Sequence, residues 1–311
     1  MPYQIYNKPY CSPQDLIAHL ENHGLTVNNR QEADKFLSDI NYYRFKIYLR
    51  PYLNLANNQF HAGATFQKGI ELYRFDDELR DTLFSLIGRI EIKLRSKLDQ
   101  VVTSHTQNPF WYLDDNLFAN KHKIGGLRAT ISSLFQNSRD DFSNHFKQNY
   151  YNDINPNFKH LPPFWMAGEL TTFGNVVNLY NAIDKAPFSG PQNSNKLDDL
   201  AREFGAKNLR ELNNWISLIK DVRNRCAHHS RVWNANLREP SNVTNQLSIT
   251  PAHPNRLYQF IALVHKISSA IDMNINIKDM MLTLFAKYPA AVSKENSAGF
   301  PNNWQADPYW N

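Results

Sequence analysis

Cysteine and long apolar runs are both scarce in this sequence, and their scarcity excludes several classes of protein. Cys11 and Cys226 are the only cysteines among 311 residues, too few for a disulfide framework or a cysteine-rich zinc site. The most apolar runs, 257–264 and 280–286, fall far short of the ~18–20 residues that cross a bilayer. Residues 1–4 show no basic segment followed by an apolar one, so no secretory signal is expected. These absences predict a soluble cytoplasmic protein with no membrane partner.

Charge is unbalanced only slightly, toward the basic side. The formal net charge is +5 and the isoelectric point is near 9.0, a mild excess that is compatible with an RNA or DNA partner. With 42% hydrophobic residues, the chain can bury a core and is not disordered by composition. It has no Gly-rich phosphate loop and no paired-carboxylate motif, so nucleotidyl binding or transfer is the least favoured function.

Apolar residues recur at helical spacing through most of the chain. Ser12, Pro13 and Asp15 predict a helix start, because they satisfy or spare the first unpaired backbone N–H groups. After a polar loop at 54–63, Thr65 caps a long helix that is predicted to reach residue 102. Further helices are predicted at 31–38, 127–135, 165–183, 196–204, 209–229 and 256–271. Residues 184–195 are predicted to form a loop, because they contain proline and glycine. The alternation of period two that is typical of strands is weak and confined to 243–249, so the sequence predicts an all-α fold.

This pattern divides the chain into three segments. Residues 1–64 form an N-terminal helical segment, 65–290 a helical bundle, and 291–311 an aromatic-rich tail. Four aromatic residues in the tail predict that it docks on the bundle. The stretch 41–48 mixes rings with cations and has no confident secondary structure. Such a mixture is typical of single-strand nucleic-acid binders, but aromatic core packing explains it at least as well.

The stretch with the most chemical information is 209–234, LRELNNWISLIKDVRNRCAHHSRVWN. Its apolar residues follow the spacing of one buried helix face, and polar residues crowd at its end. At ~100° per residue, a helix that stays regular to residue 229 places its polar residues on two sides. One side carries Arg223, Asn224, His228 and Arg231, and the other carries Arg225 and His229. The helix therefore selects His228, and not His229, as the partner of Arg223.

Arginine and histidine on one surface suit a phosphodiester substrate. Arg223 offers a permanent charge with forked donors for phosphate oxygens, and His228 can give or take a proton near neutral pH. No metal is required if the substrate supplies its own nucleophile, as RNA does with its 2′-hydroxyl, so the pair indicates RNA cleavage. Spacing alone favours a plainer interpretation, the polar end of an amphipathic helix, because basic residues near a helix C-terminus are common.

The segment resembles the R-x4-H signature of HEPN domains, here Arg223 to His228. Its extended form, RNRCAHHSRVWN over 223–234, resembles the Abi-like family of bacterial phage-defence proteins, of the AbiD/AbiF type. Other stretches that match this family are INYYR at 40–44, LYRFD at 72–76, RIE at 89–91, PFW at 163–165 and GFP at 299–301. The resemblance covers nearly the whole chain, in order.

This resemblance implies a HEPN-like helical bundle, with additional N-terminal helices and a docked C-terminal tail, that acts as a metal-independent endoribonuclease toxin. Carried over to this sequence, Arg223 would stabilise charge on the phosphate, His228 would act as general acid or base or orient the 2′-hydroxyl, and Asn224 would support the site. Because the chain holds a single motif, a homodimer is the natural way to build a composite site. Some members of the family are held inactive by a structured RNA, so a regulatory non-coding RNA is a further expected partner.

Four residues are weaker predictions for binding RNA: Arg231, Arg225, His229 and Arg95. Glu91 and Arg95 predict an ordinary i,i+4 ion pair, which bundle packing could also bring to the border of the site. The acidic residues at 76–81 are interpreted as a solvated helix face, and no metal or cofactor is predicted. A non-catalytic RNA-binding or phage-sensing protein remains the alternative function, and it would bind RNA through the same basic face without cutting it.

Overall fold

A computed structural model describes residues 3–7 and 9–310, and within them the chain is helical. The prediction about residues 1–4 therefore lies partly outside the described residues. The helices are α1 (Pro13–Asn22), α2 (Arg30–Asp39), α3 (Tyr42–Leu49), α4 (Phe66–Thr106), α5 (Lys121–Asn137), α6 (Asp141–Asn149), α7 (Phe164–Leu170), α8 (Phe173–Ala182), α9 (Lys196–Glu203), α10 (Leu209–Ala227), α11 (Val243–Leu247), α12 (Leu257–Ala270), α13 (Ile277–Lys287) and α14 (Pro289–Val292). Two short strands, β1 (Leu53–Asn54) and β2 (Gln59–Phe60), pair antiparallel. The predicted all-α class is confirmed.

The described residues form two compact units. One unit comprises the residues up to Leu79 together with Lys278–Ser297, and the other comprises Arg80–Ile277 together with the residues from Ala298 onward. Helix α4 contributes residues to both. The predicted domain limits at 64/65 and 290/291 stay predictions. All residues of the candidate site belong to the second unit.

In the first unit, helix starts and close packing follow from local sequence. Ser12 accepts a hydrogen bond from the backbone N–H of Asp15, whose side chain returns one, and this predicted cap is confirmed. Gly69 on α4 has no Cβ, and a methyl group there would lie 2.5 Å from Leu49, so glycine allows α3 to pack closely. The solvated-face interpretation is wrong for Asp76, which is buried and accepts a hydrogen bond of 2.6 Å from the hydroxyl of Tyr48.

The stretch 41–48, which had no predicted secondary structure, is helix α3, and its Phe45 and Tyr48 side chains lie in the core. This arrangement confirms core packing as the explanation for these two rings. The weak alternation at 243–249 is also helical in part, as α11, because two positive-φ residues, Asn242 and Ser248, bound a single short turn of helix.

Helix α4 provides the central stripe of the second unit. Leu83, Ile90, Leu94 and Leu98 are fully buried along one face, as their spacing predicts. Arg80 is also buried, although it lies outside this apolar stripe. An amphipathic pattern identifies the strongest apolar face, but it does not show whether a second neighbour covers the opposite one.

The helix predicted at 165–183 is instead two helices, α7 and α8, with a break at Thr171 and Thr172. Thr171 has extended backbone angles, and the Thr172 hydroxyl accepts a hydrogen bond of 3.3 Å from the backbone N–H of Asn175 as the cap of α8. A capping side chain in mid-pattern ends one helix and starts the next, which apolar periodicity alone does not reveal.

The predicted docking of the C-terminal tail is confirmed within the second unit. Tyr309 donates a hydrogen bond of 2.8 Å to the carbonyl of Ala262 on α12, and Trp310 donates one of 3.2 Å to the hydroxyl of Tyr258. Phe300 and Trp304 are buried beside them. The aromatic residues of the tail therefore complete the core over α12. In the part of the chain that the structure describes, no helix has the length and apolar character needed to span a membrane.

Candidate functional site

Helix α10 carries the motif, and its start and buried face follow from its sequence. The Asn208 side chain caps the helix by accepting a hydrogen bond of 3.1 Å from the backbone N–H of Glu211. One face of the helix is buried through its whole length. The buried side chains are Leu212, Trp215, Ile219, Val222 and Cys226, as the spacing predicts. Cys226 is thus part of the core.

The helix ends at Ala227, two residues before the predicted end at 229. His228 still donates an i→i−4 backbone hydrogen bond of 3.0 Å to Asn224, and His229 then takes a left-handed conformation with φ of 51°. Ser230 closes the end with a backbone hydrogen bond of 2.7 Å to the carbonyl of Arg225. This pattern is a Schellman cap, in which His229 occupies the position that usually holds glycine.

Arg223 lies against helix α4. Its Nε is 3.8 Å from Oε2 of Glu91, and its guanidinium carbon is 5.3 Å from the ring centroid of Phe84. The side chain keeps 32% of its surface exposed. Arg223 is therefore oriented by a carboxylate and an aromatic ring, and it still presents donors to solvent.

Glu91 links Arg223 to the second arginine of α4. The predicted pair of Glu91 and Arg95 is confirmed, with 3.2 Å between Nη2 and Oε1. Burial is the largest influence on the pKa of Glu91 and raises it, although both arginines lower it. Glu91 is the residue that sequence analysis placed only at the border of the site. The stretch RIE, already part of the family resemblance, was the signal that pointed to it.

Arg95 is mostly enclosed by protein. Besides Glu91, its Nη2 donates to the carbonyl of Thr171 at 3.2 Å, and Nη1 lies 3.9 Å from Glu169. Its aliphatic stem packs on Gly168, where an added Cβ would lie 3.4 Å from Cδ of Arg95. These contacts attach α7 to α4, and the predicted role of Arg95 in binding RNA stays a prediction.

Asn224 and His228 are exposed near the end of α10. The His228 ring forms no hydrogen bond, ion pair or ring contact with any residue in the described ranges. Because the backbone remains helical up to the His228 N–H, Arg223 and His228 diverge by ~140° around the axis. Arg223 leans toward α4, and no contact within the described residues joins it to His228. The structure places both residues on the last turns of one helix but does not bring their side chains together.

The residues after His228 form a loop that is anchored in the core. Arg225 donates a hydrogen bond of 3.4 Å to the carbonyl of Arg231, and Arg231 in turn bonds the Asn234 side chain. Arg256 donates one of 2.8 Å to the Asn234 carbonyl. Val232 and Trp233 are buried. The second half of RNRCAHHSRVWN thus stabilises the position of the first, a role that sequence analysis did not assign to Asn234 or Arg256.

No cluster of three or more histidine, cysteine, aspartate or glutamate side chains suited to a metal ion occurs within residues 3–7 and 9–310. The candidate site consists instead of cations and a half-buried carboxylate. It contains Arg223 and Arg95 on either side of Glu91, with Asn224 and His228 at the exposed helix end.

Comparison with known proteins identifies the family that this helical architecture and this motif represent. A family model described as Abi-like protein matches residues 35–234, which is more than half of the chain. The chain belongs to the Abi-like protein family. The matched region includes α4 and α10 and ends at Asn234, the last residue of the motif. No curated protein and no solved structure matches the chain.

Proposed function

We propose that this chain is a metal-independent endoribonuclease of the HEPN type that acts as a toxin in abortive infection, the phage-defence role that the name of its family suggests. The observation that carries the proposal is the pair of environments on the last turns of α10. A half-exposed Arg223 is oriented by Glu91 and Phe84, and an exposed His228 has no partner among the described residues. A positioned cation can stabilise charge on the phosphate and an accessible imidazole can transfer a proton, both of which assist transphosphorylation of RNA.

Each residue has a defined role in this reaction. The 2′-oxygen attacks phosphorus and forms the new P–O2′ bond, while the P–O5′ bond breaks and leaves a 2′,3′-cyclic phosphate. His228 takes the 2′-hydroxyl proton while water protonates the departing O5′, or water takes the first proton while His228 gives the second. Arg223 donates to the non-bridging oxygens, where negative charge grows, and Asn224 donates a further hydrogen bond.

The divergence of Arg223 and His228 supports a composite site made by two chains. Because Arg223 leans toward α4 and His228 faces solvent, a phosphate bound at Arg223 requires a histidine from elsewhere. A second copy related by two-fold symmetry supplies that histidine and receives one in return. The proposal therefore includes a homodimer.

The alternative is a non-catalytic RNA-binding or phage-sensing protein. The net charge of +5 supports contact with RNA in either case, including a regulatory non-coding RNA bound to the toxin. The two functions differ in one outcome, since only the enzyme produces new RNA ends.

Cleavage of labelled single-stranded RNA in excess chelator tests the proposal. Wild-type protein is expected to yield 2′,3′-cyclic phosphate ends, and Arg223→Ala and His228→Ala are each expected to reduce the rate by about 10²–10⁴-fold. The exposed residues Arg139 and His122 serve as matched controls, and their alanine variants should cleave like wild type. Cleavage that persists in both site variants, or RNA binding with no cleavage by any of the proteins, contradicts the proposed enzyme.

A further inference from the structure

A pocket of about 170 Å³ opens next to Arg95, between helices α4 and α7 of the second unit. Its lining includes Arg95, Asp99, Phe164, Trp165, Gly168 and Glu169. We refer to it as the Trp165 pocket. Its volume suits a single planar ring system and not a whole nucleotide, because ligand sites for larger molecules typically enclose ~300 Å³ or more.

Trp165 differs from every other tryptophan in the chain. It is 52% exposed, whereas Trp111, Trp215, Trp233, Trp304 and Trp310 are at most 5% exposed. Exposing an indole to water at a pocket has a free-energy cost that burial would remove. An exposed aromatic face is the feature on which nucleic-acid bases stack.

Arg95, the cation of the pocket lining, is already paired with Glu91 and Glu169, so the carboxylates set the polarity of the pocket. Glu169 is exposed, and Asp99 accepts hydrogen bonds from the Trp111 indole at 2.9 Å and from the Thr103 hydroxyl at 3.0 Å. Both donors use Oδ1 of Asp99, and no described residue donates to Oδ2. Two carboxylates that face one pocket repel an anion and attract N–H donors. An exocyclic amino group of a base supplies such donors.

A chain of contacts connects this pocket to the candidate site. Arg95 lines the pocket and holds Oε1 of Glu91, and Oε2 of Glu91 faces Arg223. From Glu91 to Asp99 the distance along the axis of α4 is ~12 Å. A single strand whose phosphate lies at Arg223 can therefore extend a neighbouring base along α4 toward Trp165.

We propose that the Trp165 pocket is a base-binding subsite for single-stranded RNA, in which a base that carries an exocyclic amino group stacks on Trp165 and donates to Asp99 or Glu169. This inference rests on the proposed function, and it adds a specificity determinant to the same site. Binding at the pocket does not require cleavage, so the two can be tested separately.

The exposure of Trp165 makes the test direct. A base bound at the pocket quenches mainly the fluorescence of Trp165, because the other five tryptophans are buried. The full chain is titrated with 2′-O-methyl oligocytidylate and oligouridylate, which lack the nucleophile and remain intact. Cytosine carries an amino group where uracil carries an oxygen, so the pair isolates the contact with the carboxylates. Quenching is expected with both, and oligocytidylate should bind about tenfold more tightly. Equal affinity for the two oligonucleotides overturns the assignment of the carboxylates.

Variants then test the stacking. By anisotropy of a labelled oligocytidylate, Trp165→Ala should weaken binding by about tenfold, while Trp165→Phe, which keeps a ring, should stay within a few-fold of wild type. Tyr151→Ala, which removes another exposed ring, is the matched control and should bind normally. Binding that leaves the fluorescence unchanged and survives Trp165→Ala overturns the subsite. If the subsite is confirmed but unmodified RNA is never cut, the enzyme proposal fails and the subsite stands. If RNA is cut equally well by wild type and Trp165→Ala, the subsite fails and the enzyme proposal stands.

Discussion

Neighbouring polar residues on α10 have different surroundings, although the sequence presents them as one cluster. Arg223 is oriented by Glu91 and Phe84, whereas His228 is open to solvent. Arg225 and Arg231 bond the loop that follows. The motif therefore combines groups that are available to a substrate with groups that stabilise the backbone beneath them. Composition alone does not separate these two sets.

Asp99 gives a pH-dependent prediction at the residue scale. Burial raises the pKa of Asp99, while hydrogen bonds from Trp111 and Thr103 lower it by less. Because the folded chain then holds this proton to higher pH than the unfolded chain, the contribution of Asp99 to stability falls as the pH rises from about 4 through the raised pKa. Asp99→Asn lacks this loss, so the variant should gain stability relative to wild type across that range.

Urea unfolding of both proteins at a series of pH values measures the difference. The exposed Asp153→Asn serves as the control for a general change of charge, and its difference from wild type should stay nearly constant over the same range. A gap between Asp99→Asn and wild type that shrinks as the pH rises would show that burial does not dominate at Asp99.

At the scale of the element, the backbone conformation of His229 determines where α10 ends. His229 takes a left-handed conformation that a residue with a Cβ adopts at a cost, and glycine adopts freely. His229→Gly should therefore be more stable than His229→Ala by about 1 kcal/mol, by the midpoint of chemical unfolding. Both variants lack the imidazole, so the comparison cancels the contacts of that side chain. An alanine variant that equals or exceeds the glycine variant would contradict the left-handed cap.

Helix α4 provides one side of the Arg223 environment and one side of the Trp165 pocket. Phe84 and Glu91 contact Arg223, Arg95 holds Glu91, and Asp99 lines the Trp165 pocket. These residues recur at intervals of four to seven, so they follow one strip of the helix surface. The break between α7 and α8 also affects this strip, because it leaves the carbonyl of Thr171 available to accept a hydrogen bond from Arg95.

At the scale of the whole molecule, the region matched by the family does not include every contact that supports the site. The match ends at Asn234, but Arg256, beyond it, holds the Asn234 carbonyl. Residues 298–310 of the tail belong to the second unit, and they pack on α12, the helix that follows Arg256. The C-terminal part of the second unit therefore stabilises the loop after His228.

A composite dimer predicts complementation between inactive chains. If one subunit supplies Arg223 and the other supplies His228, a mixed dimer of Arg223→Ala and His228→Ala chains retains one intact site out of two. Half of the dimers in an equimolar mixture are mixed, so the mixture should recover about a quarter of the wild-type activity. The measurement is RNA cleavage after the two proteins are unfolded and refolded together, with each variant refolded alone as control. No recovery, in a mixture shown by sedimentation to contain dimers, would contradict this arrangement.

Apolar periodicity and capping residues were enough to predict the all-α class, the long helix α4, the start of α1 and the buried face of α10. These features depend on residues within one or two turns of each other, so they are readable from the chain alone. The family was likewise recognisable from the sequence, because the extended motif at 223–234 is contiguous and the stretches at 40–44, 72–76, 89–91 and 163–165 lie within the matched region.

Tertiary packing alone decided the rest. It buried Asp76 and Arg80 on a face that appears polar. It also placed Glu91 between Arg95 and Arg223, and left Trp165 exposed while the other five tryptophans are buried. The physical reason is common to all of these. Burial and pairing depend on which residues, distant in the chain, cover each helix face, and no local pattern records that choice.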